Sequence, residues 1–295
     1  MKRILIFCLS LSVLFFAEPV FGQSKKSARK GKYAQRPDRK SEFLKTQWWL
    51  GFYGGTNIAQ ADPGQRYTGI VALNYDDSQN EKSYDDFTLP GGQAGVNITF
   101  FHRGFSFTFA PHYRAEKFAY SNSYLWESDE NVLNTLSLEF KQEHTLQYVE
   151  LPVFVKYDIL AGRLRPFVQA GFYYRVLLNA EKTLSTEGVD FASGGSGPFE
   201  NEPITVGAKE LFVKNAYGIA GGVGCTYDVW NVRFVLDITY RKGLNTISNA
   251  EYRYNENPIT GIGDAMDDLT LNSVSINLGC VFPLRFISKN LKAVE

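Results

Sequence analysis

From residue 148 to 157 the chain alternates. Val149, Leu151, Val153, Val155 and Tyr157 occupy odd positions, while Tyr148, Glu150, Phe154 and Lys156 occupy even ones. A period of two marks a β-strand, whose successive side chains leave opposite faces; a helix would repeat its apolar positions every three to four residues. Charge in so apolar a stretch is tolerable because it all lies on one side, where it can be paired or hydrated.

Seven further stretches alternate in the same way. The first strand, Trp48 to Ile58, carries Trp48, Leu50, Phe52 and Ile58 on one face. The second sets Ala94, Val96, Ile98 and Phe100 against Gln93, Gly95, Asn97 and Thr99. In the third, Phe105, Phe107, Phe109 and Tyr113 oppose Ser106, Thr108, His112, Arg114 and Glu116. The stretch above is the fourth. The fifth sets Val168, Ala170, Phe172, Tyr174, Val176 and Leu178 against Gln169, Gly171, Tyr173 and Arg175. In the sixth, Tyr217, Ile219, Val223, Cys225 and Tyr227 face away from a side rich in Gly and Ala. The seventh opposes Val232, Phe234, Leu236, Ile238 and Tyr240 to Arg233, Asp237, Thr239 and Arg241. The eighth opposes Val274, Ile276, Leu278, Cys280 and Phe282 to Ser273, Ser275, Asn277 and Gly279.

Periodicity leaves open which face is inside. A secreted lipocalin-like barrel hides its apolar face around a ligand, whereas a transmembrane barrel turns that face to lipid. The connections favour the second. Three gaps are short (102–104, 160–164, 229–231) and alternate with four long ones (60–88, 119–143, 181–210, 243–268). Short turns at one end and long loops at the other are the pattern of an outer-membrane barrel with both termini in the periplasm. The expected fold is therefore all-β: an eight-stranded, antiparallel, up-and-down transmembrane β-barrel over 46–284 with four long extracellular loops.

Charge is segregated although the formal net charge is zero. The four long gaps hold 22 of the 31 acidic residues and 6 of the 31 basic ones. Arg103, Arg163, Arg165, Arg285, Lys289 and Lys292 lie at the other end, beside a basic segment from Lys25 to Lys45. Ahead of it, Lys2 and Arg3 precede an apolar run, Ile4 to Phe16, and the small-residue site Val20-Phe21-Gly22. Residues 1–22 thus read as a signal peptide, 23–45 as a disordered basic periplasmic segment and 285–295 as a periplasmic C-terminal tail. The apolar run is shorter than the roughly 20 residues of a spanning helix.

The stretch "LQYVELPVFVKYDILAGRLRPFVQAGFYYRVLL" resembles the outer-membrane β-barrel proteins of Bacteroidetes often called PorT-like, through Glu150, Pro152, Lys156, Tyr157, Pro166 and Gly171. "GFYGGTN" and "SINLGCVF" are similar to the family's opening and closing strands. The resemblance implies an eight-stranded outer-membrane barrel, and a role in type IX secretion for some members.

The polar face gathers Glu150, Lys156, Arg175, Arg114, Glu116, Arg233 and Asp237, with His112, into an expected lumenal charge network of structural character. Glu150 is expected to pair with Arg114 or Arg175 on neighbouring strands. A proton or ion path through these groups is the alternative. No catalytic, cofactor-binding or metal-binding set is expected. His144, at the outer end of the second long gap near Glu143 and Ser137, lacks a nucleophile motif. Asp76-Asp77, Asp85-Asp86 and Asp264 to Asp268 lack the spacing of a calcium loop, leaving diffuse binding of divalent cations as their functional reading. Cys225 and Cys280, separated by one strand, are expected to be about twice 4.8 Å apart, beyond disulfide reach.

Expected partners are outer-membrane lipid and lipopolysaccharide, and a secretion-machinery or periplasmic protein. Nucleic acid is not expected, since the exposed loops are acidic. The functional expectation is a non-enzymatic binding or secretion-accessory barrel, not a wide pore. The alternatives are a small channel and a secreted lipocalin-like barrel.

Overall fold

The computed structural model describes residues 46–67, 82–128, 134–160, 162–192, 197–229, 232–254 and 265–284. The proposed signal peptide, the basic segment and the C-terminal tail from 285 lie outside the described residues. In chain order the strands are β1 (Gln47–Pro63), β2 (Ser83–Tyr84), β3 (Pro90–His102), β4 (Phe105–Phe109), β5 (His112–Glu127), β6 (Thr135–Asp158), β7 (Leu164–Asp190), β8 (Gly197–Glu200), β9 (Ile204–Gly207), β10 (Asn215–Val229), β11 (Val232–Gly243) and β12 (Leu269–Pro283).

The pairings run in a ring. β1 pairs with β3, β3 with β4 and β5, both of these with β6, β6 with β7 and β7 with β10. β10 then pairs with β11, β11 with β12 and β12 back with β1, always antiparallel. β4 and β5 occupy one place in the wall, so the ring has eight places and closes. Closure matters because no water reaches the middle of a bilayer to satisfy a sheet edge.

The break between β4 and β5 falls at Ala110-Pro111, because Pro111 has no N–H to give the ladder. Hydrogen bonding is carried across it by Val96 N donating to Pro111 O (3.0 Å) and Ala110 N donating to Pro152 O (3.2 Å). The facing is preserved: Phe109 and Tyr113 are exposed, and Thr108 and His112 are buried. The β3–β4 turn is made by Arg103 (φ +47°) and Gly104 (φ +88°). Two positive φ values in a two-residue hairpin follow the right-handed twist of the strands, and Gly104 adopts its value without a Cβ penalty.

Every apolar set named from the sequence lies outward and every opposing set inward, as β6 shows with Leu151, Val153, Val155 and Tyr157 exposed and Tyr148, Glu150 and Phe154 buried. The exterior is thus an apolar sleeve far larger than the scattered apolar residues of a water-soluble surface. Its short-turn end carries aromatic pairs, Trp48 with Phe100 (ring centroids 5.1 Å apart) and Phe105 with Tyr157 (4.9 Å), consistent with an interfacial girdle. The lipocalin-like arrangement requires the reverse facing.

Two of the four expected loops are mostly wall. β5 continues to Glu127 and β6 begins at Thr135, so the second connection shrinks to 128–134, and β7 continues to Asp190 with β8 and β9 paired along its outer length. The acidic residues of these stretches made them look like loops. Beyond the apolar sleeve both faces of a strand can meet water, so Glu139 and Glu187 decorate strands without interrupting them. A register shift between Gln147 and Tyr148 re-aims the outer β6–β7 hairpin. The first and fourth connections remain long, at 64–89 and 244–268.

Candidate functional site

The interior is the place where chemistry-bearing residues converge, and it is filled in layers. Nearest the short turns, Trp49, Phe101, Phe167, Val235 and Val281 form an apolar plug. The Arg233 guanidinium lies 4.0 Å from the Trp49 ring centroid and donates to Asp228 (2.8 Å), and Asp228 also accepts from Arg165. Small residues on β10 make room: a side chain at Gly224 would strike the tip of Phe167, and one at Gly218 would strike Tyr173.

Above the plug is a polar layer. Asp237 accepts from Asn277 Nδ2 (2.9 Å) and Thr239 Oγ1 (2.8 Å), and Gln169 donates to Thr239 (2.7 Å). The Lys156 ammonium stands 5.1 Å from the centre of the Phe167 ring. A cavity of about 30 Å³ opens here, with Lys156, Asp237, Arg241, Asn97 and Asn277 in its wall.

The next layer holds the main charge network. Glu116 accepts from Arg114 Nε (2.6 Å) and Arg175 Nη1 (2.8 Å). Glu150 accepts from Arg241 Nε (2.9 Å), with His112 Nε2 at 3.5 Å and Arg114 Nε at 4.0 Å. Both carboxylates are 0% exposed. Ser273 accepts from Arg114 (2.8 Å), Ser275 accepts from Arg241 (2.6 Å), and Arg175 stacks 4.6 Å from the Tyr148 ring centre.

Of the two expected partners of Glu150, Arg114 lies at ion-pair distance (4.0 Å) and Arg175 does not pair with it. Arg175 sits directly across the ladder from Glu150, yet its guanidinium reaches Glu116. Glu150 instead takes its closest guanidinium from Arg241, a residue read from the sequence as lumenal but left out of the expected network. Glu116, Arg114 and Arg175 form one group, with Glu150, Arg241 and His112 beside it. Lys156, Arg233 and Asp237 belong to the layers below. In-line pairing along the wall was legible from register alone, whereas contact across the lumen depends on strand tilt and side-chain length.

The long-loop end is closed by a second apolar cluster containing Phe118, Tyr120, Leu146, Leu177, Phe212, Ile247, Met266 and Leu269. His144 belongs here and not to an outer rim: it is fully buried, stacked on Phe118 (4.9 Å) and Tyr120 (5.6 Å). The first and fourth connections are tied above it. Asp267 accepts from Lys82 Nζ (2.9 Å), Tyr84 Oη (2.7 Å) and the Tyr67 backbone N–H (2.7 Å). Arg253 donates to Asp268 (2.5 Å) while covering the Tyr67 ring. Asp267 and Asp268 are thus occupied by protein cations, and Asp86 accepts from Gln60. Asp76, Asp77 and Asp264 lie outside the described residues. Among the described residues no three metal-ligating side chains are gathered, and no helix is long and apolar enough to cross a membrane. Cys225 and Cys280 are free thiols on half-exposed outer positions.

The sequence profile described as "Outer membrane protein beta-barrel domain" matches residues 23–249. The chain belongs to this family. Its place is accordingly the outer membrane, with the apolar sleeve against lipid. Among solved structures, the chain is similar to the outer membrane protein OprG from Pseudomonas aeruginosa, at 14% identity over 81% of this chain and 96% of that one, with a TM-score of 0.35. It is also similar to Neisserial surface protein A, at 12% identity over 78% and 96% with a TM-score of 0.32. The attachment invasion locus protein Ail of Yersinia pestis follows at 10% identity over 80% and 99%, with a TM-score of 0.28. No curated protein sequence matches. This outer membrane β-barrel has a closed interior and two unlike ends.

Proposed function

We propose that this barrel conducts no solute and catalyses no reaction, and works as a binding protein of the outer membrane through its ends. The observation that carries the reading is the occluded lumen. A plug of Trp49, Phe101 and Phe167 lies at one end and a larger apolar cluster at the other. The charge network fills the space between, and an eight-stranded barrel leaves little more than side-chain volume inside.

The long-loop end is the surface we assign to binding, facing out of the cell, with both termini in the periplasm. The contrast between short turns and long connections supports that orientation. The outer hairpin presents Glu139, Glu187 and Glu200 directly opposite one another across β6, β7 and β8. Like charges in register cost stability, so a cationic partner that relieves the repulsion would gain from it. A secretion-accessory role, as in type IX secretion, is the form of binding that the PorT-like resemblance suggests, with the basic periplasmic segment as a second contact.

Planar-bilayer recordings of the purified protein test the reading. We expect no unitary current steps from the parent chain, and none from Trp49→Ala, because the apolar cluster at the other end still closes the lumen. Stable discrete steps from the parent chain would contradict it. An epitope inserted after Asn201 should be labelled by antibody on intact cells, and labelling only after the outer membrane is breached would reverse the orientation.

A further inference from the structure

We propose that the lumen binds one small monovalent anion, of the chloride class, in the cavity beside Lys156. The argument begins with a charge census of the enclosed section from the short turns to the Glu116 layer. Among the described residues its cations are Arg114, Lys156, Arg165, Arg175, Arg233 and Arg241, and its carboxylates are Glu116, Glu150, Asp158, Asp228 and Asp237. Six positive groups face five negative ones.

The imbalance is local. Arg165 lies 3.6 Å from Asp158 and pairs with Asp228, which also takes Arg233. Arg114, Arg175 and Arg241 share only two carboxylates, Glu116 and Glu150, so the one excess positive charge belongs to this group, of which Arg241 also lines the cavity. Lys156 forms no ion pair within 4 Å; its contact is the Phe167 ring face. Asp237 shares the cavity wall and balances the charge of Lys156, although its hydrogen bonds are taken by the neutral Asn277 and Thr239. The Lys156 ammonium has three donors to place, and the excess charge of the neighbouring arginine group is costly inside the barrel unless a counter-charge accompanies it.

The cavity fits that need. Its volume of about 30 Å³ is room for roughly two waters, or one ion of that bulk. Lys156 and Arg241 bring positive charge to its wall, and Asn97 and Asn277 bring amide groups. Water alone would solvate the ammonium without cancelling the excess charge. The proposal requires the lumen to be closed but is independent of which end faces outward.

The test is refolding into detergent micelles in sodium chloride, sodium bromide or sodium gluconate at equal ionic strength, followed by thermal unfolding. In the parent chain the halides should raise Tm above the gluconate value, by about 2–4 °C per tenfold halide above Kd. In Lys156→Met the three salts should give one Tm. Equal Tm values in the parent chain, or an undiminished halide effect in Lys156→Met, would overturn the proposal and leave water with an uncharged lysine as the balance. Should Lys156→Met fail to fold, bromide-soaked crystals of the parent chain decide: an anomalous peak in contact with Lys156 Nζ supports the site, and no peak there rejects it. A non-conducting parent chain without a halide effect would overturn this proposal and leave the functional one standing, whereas a conducting parent chain would overturn both.

Discussion

Glu116 is the residue on which the interior turns, because two guanidiniums, Arg114 and Arg175, meet on its two oxygens. Removing one partner of a buried ion pair leaves an uncompensated charge and costs about 3–5 kcal/mol. Glu116→Gln should therefore unfold at a distinctly lower temperature than the parent in detergent, followed by far-ultraviolet circular dichroism. Glu150→Gln should lose less, since Glu150 holds one guanidinium at 2.9 Å and a second only at 4.0 Å. A smaller loss at Glu116 than at Glu150 would contradict the pairing. The presence of these groups inside was legible in the sequence, because each sits on the polar side of an alternating strand. Their partnerships were not, and Arg241 shows why: it approaches Glu150 across the lumen, and nothing in the spacing of either strand encodes that meeting. His144 was misplaced for a related reason, since its neighbours Glu143 and Lys141 read as loop while the histidine faces an aromatic stack.

β10 carries the packing argument at the scale of an element. Its lumenal face is small at Ala216, Gly218, Ala220 and Gly224 because Tyr173 and Phe167 fill the space opposite. Gly224→Leu should displace the Phe167 ring, so that folding yield falls and any folded fraction loses the heat-dependent gel mobility of the parent; full yield with unchanged mobility would show that the plug tolerates bulk. The Gly- and Ala-rich side of this strand was visible in the sequence, but the large side chains that fill the space beside it were not. Strand length was not legible for β5, β6 and β7. Alternation persists beyond the apolar sleeve, but acidic residues there hide it, because a strand leaving the bilayer no longer needs an apolar outer face. On the exterior, Cys225 and Cys280 lie on β10 and β12 with β11 between them. Gel mobility should be the same with and without reductant, and a reductant-sensitive band of intact monomer would contradict that spacing.

For the whole molecule, the alternation of short and long connections, the segregation of charge and the closure of the sheet all describe one object: a sealed cylinder with an apolar exterior and chemically distinct ends. On the proposed reading, function belongs to the ends and the interior serves to hold the cylinder rigid. The claim beneath this is the facing of the strands. Nitroxide labels placed singly from Val149 to Tyr157 in bilayer-reconstituted protein measure it directly. Collisions with oxygen, which partitions into lipid, should peak at 149, 151, 153, 155 and 157 and fall at the even positions between them. A pattern with its maxima at 150, 154 and 156 would place Glu150 and Lys156 outside and contradict the account.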